Sequence, residues 1–337
     1  MNLQTSPKAT HRLGSRLRHA LAVAAAPVSF CASAQNPSQW IINPEPAYQD
    51  LFGISTRWVG DIFAVGTMWD KVGNIPKAGA VYLYDTSSTS GNLGPPLVKL
   101  QSPSPVSGGE FGGSLATVGT VLAVGSAWGG LNWFRPGAVY LYDGDRSSAS
   151  FGAFLGTPRN PRPNVGDEFG FSVVPVGNNL LVGAYADGSR AARAGAAYLF
   201  NVNRSSADFG KLIATFENPV PGVNDYFGVA ATAVGEGRIA IGAFRDDTAG
   251  VDAGAVYLFD AQPSSATFGA LLHTFVNPRP SPRRLRTVRT TSSGTCWQAV
   301  EITCLFLRFV RMPGPRMPGR CTCSMPTRAP PRSGTCS

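Results

Sequence analysis

Four segments of the chain place an aromatic residue two or three positions after a glycine that ends an apolar run. These aromatic residues are Trp69, Trp128, Tyr185 and Phe244. In three of the segments an aspartate follows at one register, namely Asp70, Asp187 and Asp246. Rings beside carboxylates suit the recognition of a glycan or a protein, because aromatic side chains offer a large and rigid contact area.

The second segment adds further candidates in Trp133, Phe134 and Arg135. The predicted binding face therefore comprises Trp69, Asp70, Trp128, Trp133, Arg135, Tyr185, Asp187, Phe244 and Asp246. A structural alternative stays open, in which the rings pack between neighbouring repeats and the aspartates form turns.

An enzymatic alternative assigns Asp187, Asp246 and Asp247 as acid and base of a hydrolase or lyase acting on polysaccharide. Such enzymes hold two carboxylates roughly 5–10 Å apart in a cleft. Histidine-dependent catalytic triads and zinc-hydrolase sites are disfavoured, since His273 is the one histidine of residues 35–282 and cysteine is absent there. We therefore predict no catalytic residues, no metal ligands and a protein that binds.

The segments recur because the chain is a repeat. Phe-Gly stands at 52, 111, 169 and 227, and a Gly-Ala-x-Tyr-Leu motif starts at 79, 137, 195 and 254, so the period is about 58 residues. We place the four repeats at 52–105, 111–163, 169–221 and 227–280. A fixed period of this length is typical of propellers and solenoids.

Each repeat predicts four short strands. In the third these are 169–174, 180–184, 196–200 and 212–216, rich in Val, Tyr, Phe and Leu and bounded by Gly, Asn and Pro. Four strands per repeat predict an all-β fold, a β-propeller of four-stranded blades. A β-solenoid is the rival, although its coils are usually shorter.

The order Phe-Gly, Val-Gly-x-x-Leu-Leu-Val-Gly-Ala and Ala-Gly-Ala-x-Tyr-Leu-Phe resembles the FG-GAP repeat family, the blade unit of integrin α-chain propellers. The resemblance covers about residues 40–280 and implies an extracellular propeller used for recognition or adhesion. Calcium-binding members carry an Asp-rich loop between the first two strands. Here that place holds tight turns such as Val176–Asn179, which cannot supply six to eight oxygen ligands, so we predict no cofactor.

Ring closure is predicted to be incomplete. Asn-Pro-x-Pro begins at Asn43, Asn160, Asn218 and Asn277, each time after a fourth strand. Trp40–Ile42 therefore resembles a fourth strand without the first three strands of its own blade. In a closed propeller it would pair with the last blade, so we expect four in-frame repeats to form a truncated ring.

Charge and cysteine are concentrated at the two ends of the chain. Of 29 basic and 20 acidic residues, 4 basic residues lie in 1–34, and 10 arginines and one acid lie in 283–337. That leaves 15 basic and 19 acidic residues between, which removes the main support for nucleic-acid binding.

The N-terminus has the pattern of a signal peptide. Residues 1–34 carry four basic residues, an apolar segment at Ala20–Ala26 and a small-x-small end at Ala32–Ala34. We predict cleavage near Ala34 and export to the periplasm, the cell surface or the medium. A short buried helix is the alternative. No later stretch has the roughly 18 apolar residues of a membrane span, so we expect a soluble partner-binding protein that meets an extracellular protein or glycan.

Residues 283–337 are expected to be a disordered tail, because their Arg, Pro, Cys and Ser content cannot build a core. Back-translation suggests the origin of this tail. Codons for Met317–Pro326, shifted by one base, can encode the amino-acid sequence of Asp252–Ala261. The tail is thus predicted to be a further repeat translated out of frame. The alternative is a genuine basic tail, in which Cys321 and Cys323 would be a weak zinc site.

A one-base correction near Pro282 is expected to open a reading frame that encodes further Phe-Gly repeats. Resequencing the DNA around codons 278–290 would check this. A confirmed sequence whose shifted frame meets stop codons before any Phe-Gly repeat contradicts the hypothesis.

Overall fold

The computed structural model describes residues 41–87, 94–129, 136–235 and 237–279. The predicted signal peptide, Trp40, the tail from 283 onward, Trp133 and Arg135 lie outside the described residues. Within the described ranges there is no helix, and hence none with the length and hydropathy of a membrane span.

Sixteen strands in the described residues form four sheets, which we call blades 1 to 4. Blade 1 contains β1 (Phe52–Val59), β2 (Ile62–Thr67), β3 (Ala80–Asp85) and β4 (Val98–Leu100). Blade 2 contains β5 (Ser114–Val118), β6 (Val121–Ser126), β7 (Ala138–Asp143) and β8 (Phe154–Gly156). Blade 3 contains β9 (Phe169–Val176), β10 (Asn179–Ala184), β11 (Ala196–Asn201) and β12 (Leu212–Glu217). Blade 4 contains β13 (Ala230–Val234), β14 (Arg238–Ala243), β15 (Ala255–Asp260) and β16 (Leu271–Val276).

Each blade is an antiparallel meander in which sequence neighbours pair. The four strands predicted for the third repeat are confirmed, and each is one or two residues longer than predicted. In blade 3 the first hairpin closes over two residues, with Gly177 at φ 57°. A left-handed conformation at that point costs glycine little because it has no Cβ.

The two repeat signatures meet between neighbouring blades. Gly195, which precedes β11, forms a parallel bridge with Phe227 at the start of the next repeat. A Cβ on Gly195 would lie 2.0 Å from the Phe227 carbonyl oxygen, so a larger residue would force the two blades apart. Gly137 and Phe169 form the same bridge one repeat earlier.

The core lies between successive sheets. The Phe169 ring, fully buried, lies 5.9 Å from both Tyr198 and Phe200 of its own blade. It shares one apolar cluster with Val139 and Leu141 of blade 2. The first strands of successive blades are in contact, β1 with β5, β5 with β9, and β9 with β13. Radial repetition around the first strands is the propeller arrangement that the sequence predicts.

The four sheets do not close into a ring, as predicted. Leu199 and Phe216 of blade 3 are 0% and 2% exposed because blade 4 covers them. Their equivalents in blade 4 are Leu258, which is half-buried, and Phe275, which is 38% exposed. In each earlier blade the equivalent face is covered by the next blade. In blade 4 this outer face is left uncovered among the described residues.

One prediction near the start of the repeats is wrong for its described residues: Ile41 and Ile42 do not form a strand. Ile42 nevertheless occupies the position that, in the next repeat, directly follows the fourth strand. The Tyr84 hydroxyl lies 3.3 Å from the Ile42 carbonyl, just as Tyr142 donates to the Gln101 carbonyl at 2.6 Å. A strand requires a partner backbone, and among the described residues no third strand lies beside Ile41 and Ile42.

The open face predicts different costs for equivalent phenylalanines. Phe216→Ala is expected to lower the free energy of unfolding by about 3–5 kcal/mol, as for other buried phenylalanines. Phe275→Ala is expected to cost far less and to reduce self-association, because it trims an exposed apolar face. Chemical denaturation and analytical ultracentrifugation of both variants check this. Equal destabilisation would show that Phe275 is covered after all.

Candidate functional site

Asp70, Asp187 and Asp246 are buried inside their blades, with exposed fractions of 3%, 1% and 0%. Each accepts a hydrogen bond from the tyrosine of its blade's third strand, at 2.7 Å from Tyr82, 2.5 Å from Tyr198 and 2.6 Å from Tyr257. These bonds fasten the loop after the second strand to the blade. The arrangement fits the structural alternative for the aspartates.

A second aspartate in the same three blades escaped the sequence reasoning. Asp50, Asp167 and Asp225 stand two residues before Phe-Gly and are buried. In blade 4 the Asn218 amide donates to Asp225 at 2.7 Å and to Asp246 at 3.1 Å, so one amide joins both carboxylates. The recurrence of Asp at one register before Phe-Gly was the signal that could have revealed this cluster.

Blade 2 lacks the whole cluster. Ser102, Gly109 and Gly129 stand where the other blades carry the asparagine and the two aspartates. Its tyrosine, Tyr140, is retained and hydrogen-bonds Ser102 instead. Both carboxylates are missing together because a buried polar group left without its partner is costly. The asparagine and the two aspartates are therefore replaced together in blade 2, whereas its tyrosine is retained with a different partner.

Paired burial changes the acidity of these carboxyls. Burial, together with the charge of Asp187, raises the pKa of Asp167 to about 6, despite hydrogen bonds from Asn164 and Asn160. Burial likewise raises the pKa of Asp225, with Asp246 adding to the effect. Two carboxyls in one apolar site resist ionising together.

Aromatic rings form a contiguous surface across blades 3 and 4. We call Phe171, Tyr185, Tyr226 and Phe244 the aromatic row. The ring centroids of Phe171 and Tyr185 lie 4.6 Å apart, those of Tyr185 and Tyr226 5.6 Å, and those of Tyr226 and Phe244 5.2 Å. Phe171 and Phe244 are 43% and 40% exposed. The row is thus a surface of partly exposed rings joined across two blades.

Blade 1 has a related contact on the same kind of loop. The Trp69 indole N–H donates to Glu110 at the start of the next repeat, at 3.1 Å. The Lys77 ammonium lies 4.1 Å from the centre of the Trp69 ring. In both places the residue just before Phe-Gly meets the aromatic residue of the loop after a second strand.

The backbone positions those residues at a steric cost. Leu51, Glu110, Glu168 and Tyr226 each precede Phe-Gly with φ of 56°, 58°, 57° and 59°. A left-handed conformation costs a non-glycine residue roughly 1–2 kcal/mol. Bonds such as Tyr226 N–H to the Arg193 carbonyl, 3.1 Å, hold it in place. In blades 2 and 4 the side chain at this position meets the loop of the preceding blade, since Glu110 contacts Trp69 and Tyr226 contacts Tyr185.

Two arginines and a glutamate accompany the aromatic row. Arg193 hydrogen-bonds Tyr226, which raises the pKa of the guanidinium. The Arg245 guanidinium lies 5.6 Å from the Tyr226 ring centre and 5.7 Å from that of Phe244. Glu168 is 8% exposed and hydrogen-bonds Tyr185, yet one of its oxygens has no partner. Burial raises the pKa of this carboxyl.

The predicted face therefore divides into an inner and an outer part. Tyr185 and Phe244 are brought together in the aromatic row, and Trp69 forms the related contact in blade 1. Trp128 is half-buried. Sequence reasoning missed Phe171, Tyr226, Arg193 and Arg245, because their proximity depends on how blades pack. Within the described ranges no group of three or more His, Cys, Asp or Glu is arranged to hold a metal ion.

Four-stranded repeats packed through their first strands define an open β-propeller array. The sequence model of the FG-GAP repeat matches residues 163–200 and 221–259, which lie in the third and fourth repeats. The chain therefore contains FG-GAP repeats, as its Phe-Gly and Gly-Ala signatures predict. No curated protein sequence matches it.

Two solved structures are similar at low identity. One is the β-propeller domain of the Trilobed protease from Pyrococcus furiosus, with 12% identity and a TM-score of 0.37 over 61% of this chain and 52% of that one. The other is an acylaminoacyl peptidase from Pyrococcus horikoshii, with 12% identity and a TM-score of 0.37 over 62% of this chain and 30% of that one. This chain thus spans about half of the first and less than a third of the second, and neither similarity bears on function.

The raised pKa of Asp167 predicts a pH-dependent contribution to stability. Its folded value of about 6 exceeds the ordinary 3.8, so the fold favours the protonated carboxyl. This contribution is present at low pH and is lost as pH rises through about 6. Asp167→Asn is expected to flatten the fall in melting temperature between acid and neutral pH, because the amide does not ionise while it keeps an acceptor oxygen.

The matched control is Asp208→Asn, an exposed aspartate paired with Lys211 in the same blade. It is expected to leave the pH profile of the melting temperature unchanged. Identical profiles for wild type and Asp167→Asn would contradict a raised pKa at this carboxyl.

Proposed function

We propose that the protein is an exported, non-enzymatic recognition module that binds an extracellular protein or glycan. The binding face is formed by the loops after the second strands and by the residues before Phe-Gly. The aromatic row carries this proposal, because it joins partly exposed rings from two blades in one surface. Partly exposed rings with polar neighbours are typical of the anchors in binding interfaces.

The buried carboxylates support binding over acid–base catalysis. Asp187 and Asp246 belong to different blades, and each is engaged by its own tyrosine. Asp247, the third residue of the enzymatic alternative, accepts the backbone N–H of Asp252 at 2.7 Å. A general acid or base has to reach the reacting atoms, and of these three side chains Asp187 and Asp246 are buried while Asp247 is exposed.

The proposed location follows from the signal-peptide pattern of residues 1–34. The repeat region between residues 35 and 282 is mildly acidic, which disfavours nucleic acid as the partner. A propeller presents the loops after its second strands on one face, and an exported protein can meet a surface ligand there.

Trp69→Ala and Phe244→Ala are expected to weaken binding by roughly 1–4 kcal/mol each, the range of interface anchors. Their melting temperatures should change little, because both rings lie at the surface of a loop. Binding of the labelled chain to isolated cell envelopes and to a glycan array is the measurement.

Trp58→Ala is the matched control, since Trp58 is 56% exposed and lies at the other end of β1 from Phe52. It should bind as wild type does. Full binding by the Trp69 and Phe244 variants would rule out this face. Release of reducing sugar ends from a polysaccharide would favour the enzymatic alternative.

A further inference from the structure

We propose that the aromatic row, together with Arg193 and Arg245, binds an acidic polysaccharide. This inference rests on the proposed function and names the ligand class of the same face. The sugar rings would lie against the aromatic side chains, and the carboxylate or sulfate groups would lie between the two guanidinium groups.

The two arginines converge on one ring. Arg193 hydrogen-bonds Tyr226, and the Arg245 guanidinium lies 5.6 Å from the centre of the same ring. Both side chains belong to exposed residues. Within the described ranges neither forms an ion pair with a carboxylate, in contrast to Arg162, Arg190 and Arg204. Two exposed guanidinium groups beside one ring therefore leave positive charge on this surface for an anion.

The guanidinium group suits the anions of acidic sugars. Its planar fork of N–H donors matches carboxylate and phosphate-like oxyanions in a bidentate manner. Arg245 also lies over the rings of Tyr226 and Phe244, which orders the side chain in the free protein. Less conformational entropy is then lost on binding.

One mostly buried carboxyl contacts the aromatic row. Glu168 is the acidic residue that hydrogen-bonds the row, through Tyr185, and it is 8% exposed. Burial raises the pKa of this carboxyl, although the hydrogen bond with Tyr185 and the charge of Arg193 lower it. Its contact with Tyr185 fixes the position of that ring, so Glu168 acts as a positioning residue of the row.

A polysaccharide fits this surface better than an acidic peptide. A sugar ring has an apolar face that stacks on an aromatic ring and a rim that carries polar groups. Peptides are usually held through a free strand edge, an apolar groove or a pocket. Here the loop backbones already bond internally, as Gly195 N–H does to the Asp187 carbonyl and Gly254 N–H to the Asp246 carbonyl, both at 2.9 Å.

The left-handed backbone at Tyr226 allows the role of its ring to be tested separately. Glycine would adopt φ 59° without strain, yet the position holds a large ring stacked on Phe244 at an interplanar angle of 11°. The same conformation precedes Phe-Gly in all four blades, so it belongs to the joining of blades, whereas the large ring is particular to this position. This conformation provides a variant, Tyr226→Gly, that removes the ring while suiting the backbone.

Binding of the full chain to polygalacturonate and to dextran sulfate, measured by calorimetry, tests the proposal. Arg193→Gln and Arg245→Gln are each expected to weaken binding by about tenfold or more, since each removes a charge-assisted hydrogen bond. Tyr226→Gly should cause a similar loss. Affinity should fall with added salt, because charges at an exposed site are screened. The two polymers show whether carboxylate or sulfate is preferred.

Three controls isolate the site. Arg190→Gln changes an arginine of the same loop whose charge is already paired with Glu217, and it should bind normally. Arg238→Gln removes an exposed charge at the start of β14, and it should also bind normally. Leu51→Gly alters the equivalent strained position in blade 1, φ 56°, and separates a backbone effect from loss of the ring.

The outcomes distinguish failure of the polysaccharide assignment from failure of the proposed function. Absence of binding to both polymers, equal binding of poly-L-glutamate, or equal loss in Arg190→Gln would overturn the polysaccharide assignment. If carboxyl-reduced polygalacturonate binds as well as the acidic form and depends on Phe244, the acidic assignment fails while recognition by this face stands. If envelopes, glycan array and both polymers all fail to bind, the proposed function fails too.

Discussion

The fold depends on the close approach of one blade's backbone to the first residue of the next. Gly195 lies against Phe227, and a Cβ at Gly195 would meet the Phe227 carbonyl at 2.0 Å. This contact explains why both signatures recur with one period. Glycine allows the approach, and phenylalanine fills the space beside it with a ring that contacts Tyr257 and Phe259 of the next blade. In the first three blades the following repeat supplies the other half of this contact, at Phe111, Phe169 and Phe227.

The same contact determines where the surface residues point. The residue before Phe-Gly has to turn the chain into the contact, and it does so in a left-handed conformation at φ 56–59° in all four blades. That turn directs Tyr226 between the loops of blades 3 and 4, where it meets Tyr185 and Phe244. The way in which blades are joined therefore also positions the proposed recognition surface. Packing between the blades offsets the cost of the left-handed backbone.

The carboxylates and the rings, which are neighbours in sequence, have separate roles in space. Asp187 turns inward to Tyr198, while Tyr185, two residues earlier, lies on the surface beside Phe171. Residues two apart in an extended segment point the same way, but the chain leaves β10 at Ala184 and bends before Asp187. The inner aspartates hold the loop still, and a loop held still keeps the rings in place.

An open array has consequences at its last blade. Blade 4 buries Phe259 and Tyr257 against blade 3 but leaves Phe275 exposed and Leu258 half-buried on its other side. Apolar surface of this kind is normally covered. The buried Asp–Tyr cluster and the aromatic row both lie within or between blades that have their neighbours, so they do not depend on what covers the outer face of blade 4.

The sequence by itself determined the period, the strand content, the propeller architecture and its incompleteness, because glycine, β-branched and aromatic residues specify turns and strands locally. It also located the loops that carry Tyr185 and Phe244. Only the tertiary structure decided that Asp70, Asp187 and Asp246 turn inward, that Asp167 and Asp225 join them, and that Arg193 and Arg245 meet at Tyr226. Arg193 and Tyr226 are 33 residues apart and belong to different repeats. Contacts across a blade interface depend on how two sheets pack, and no local pattern in the chain records that packing.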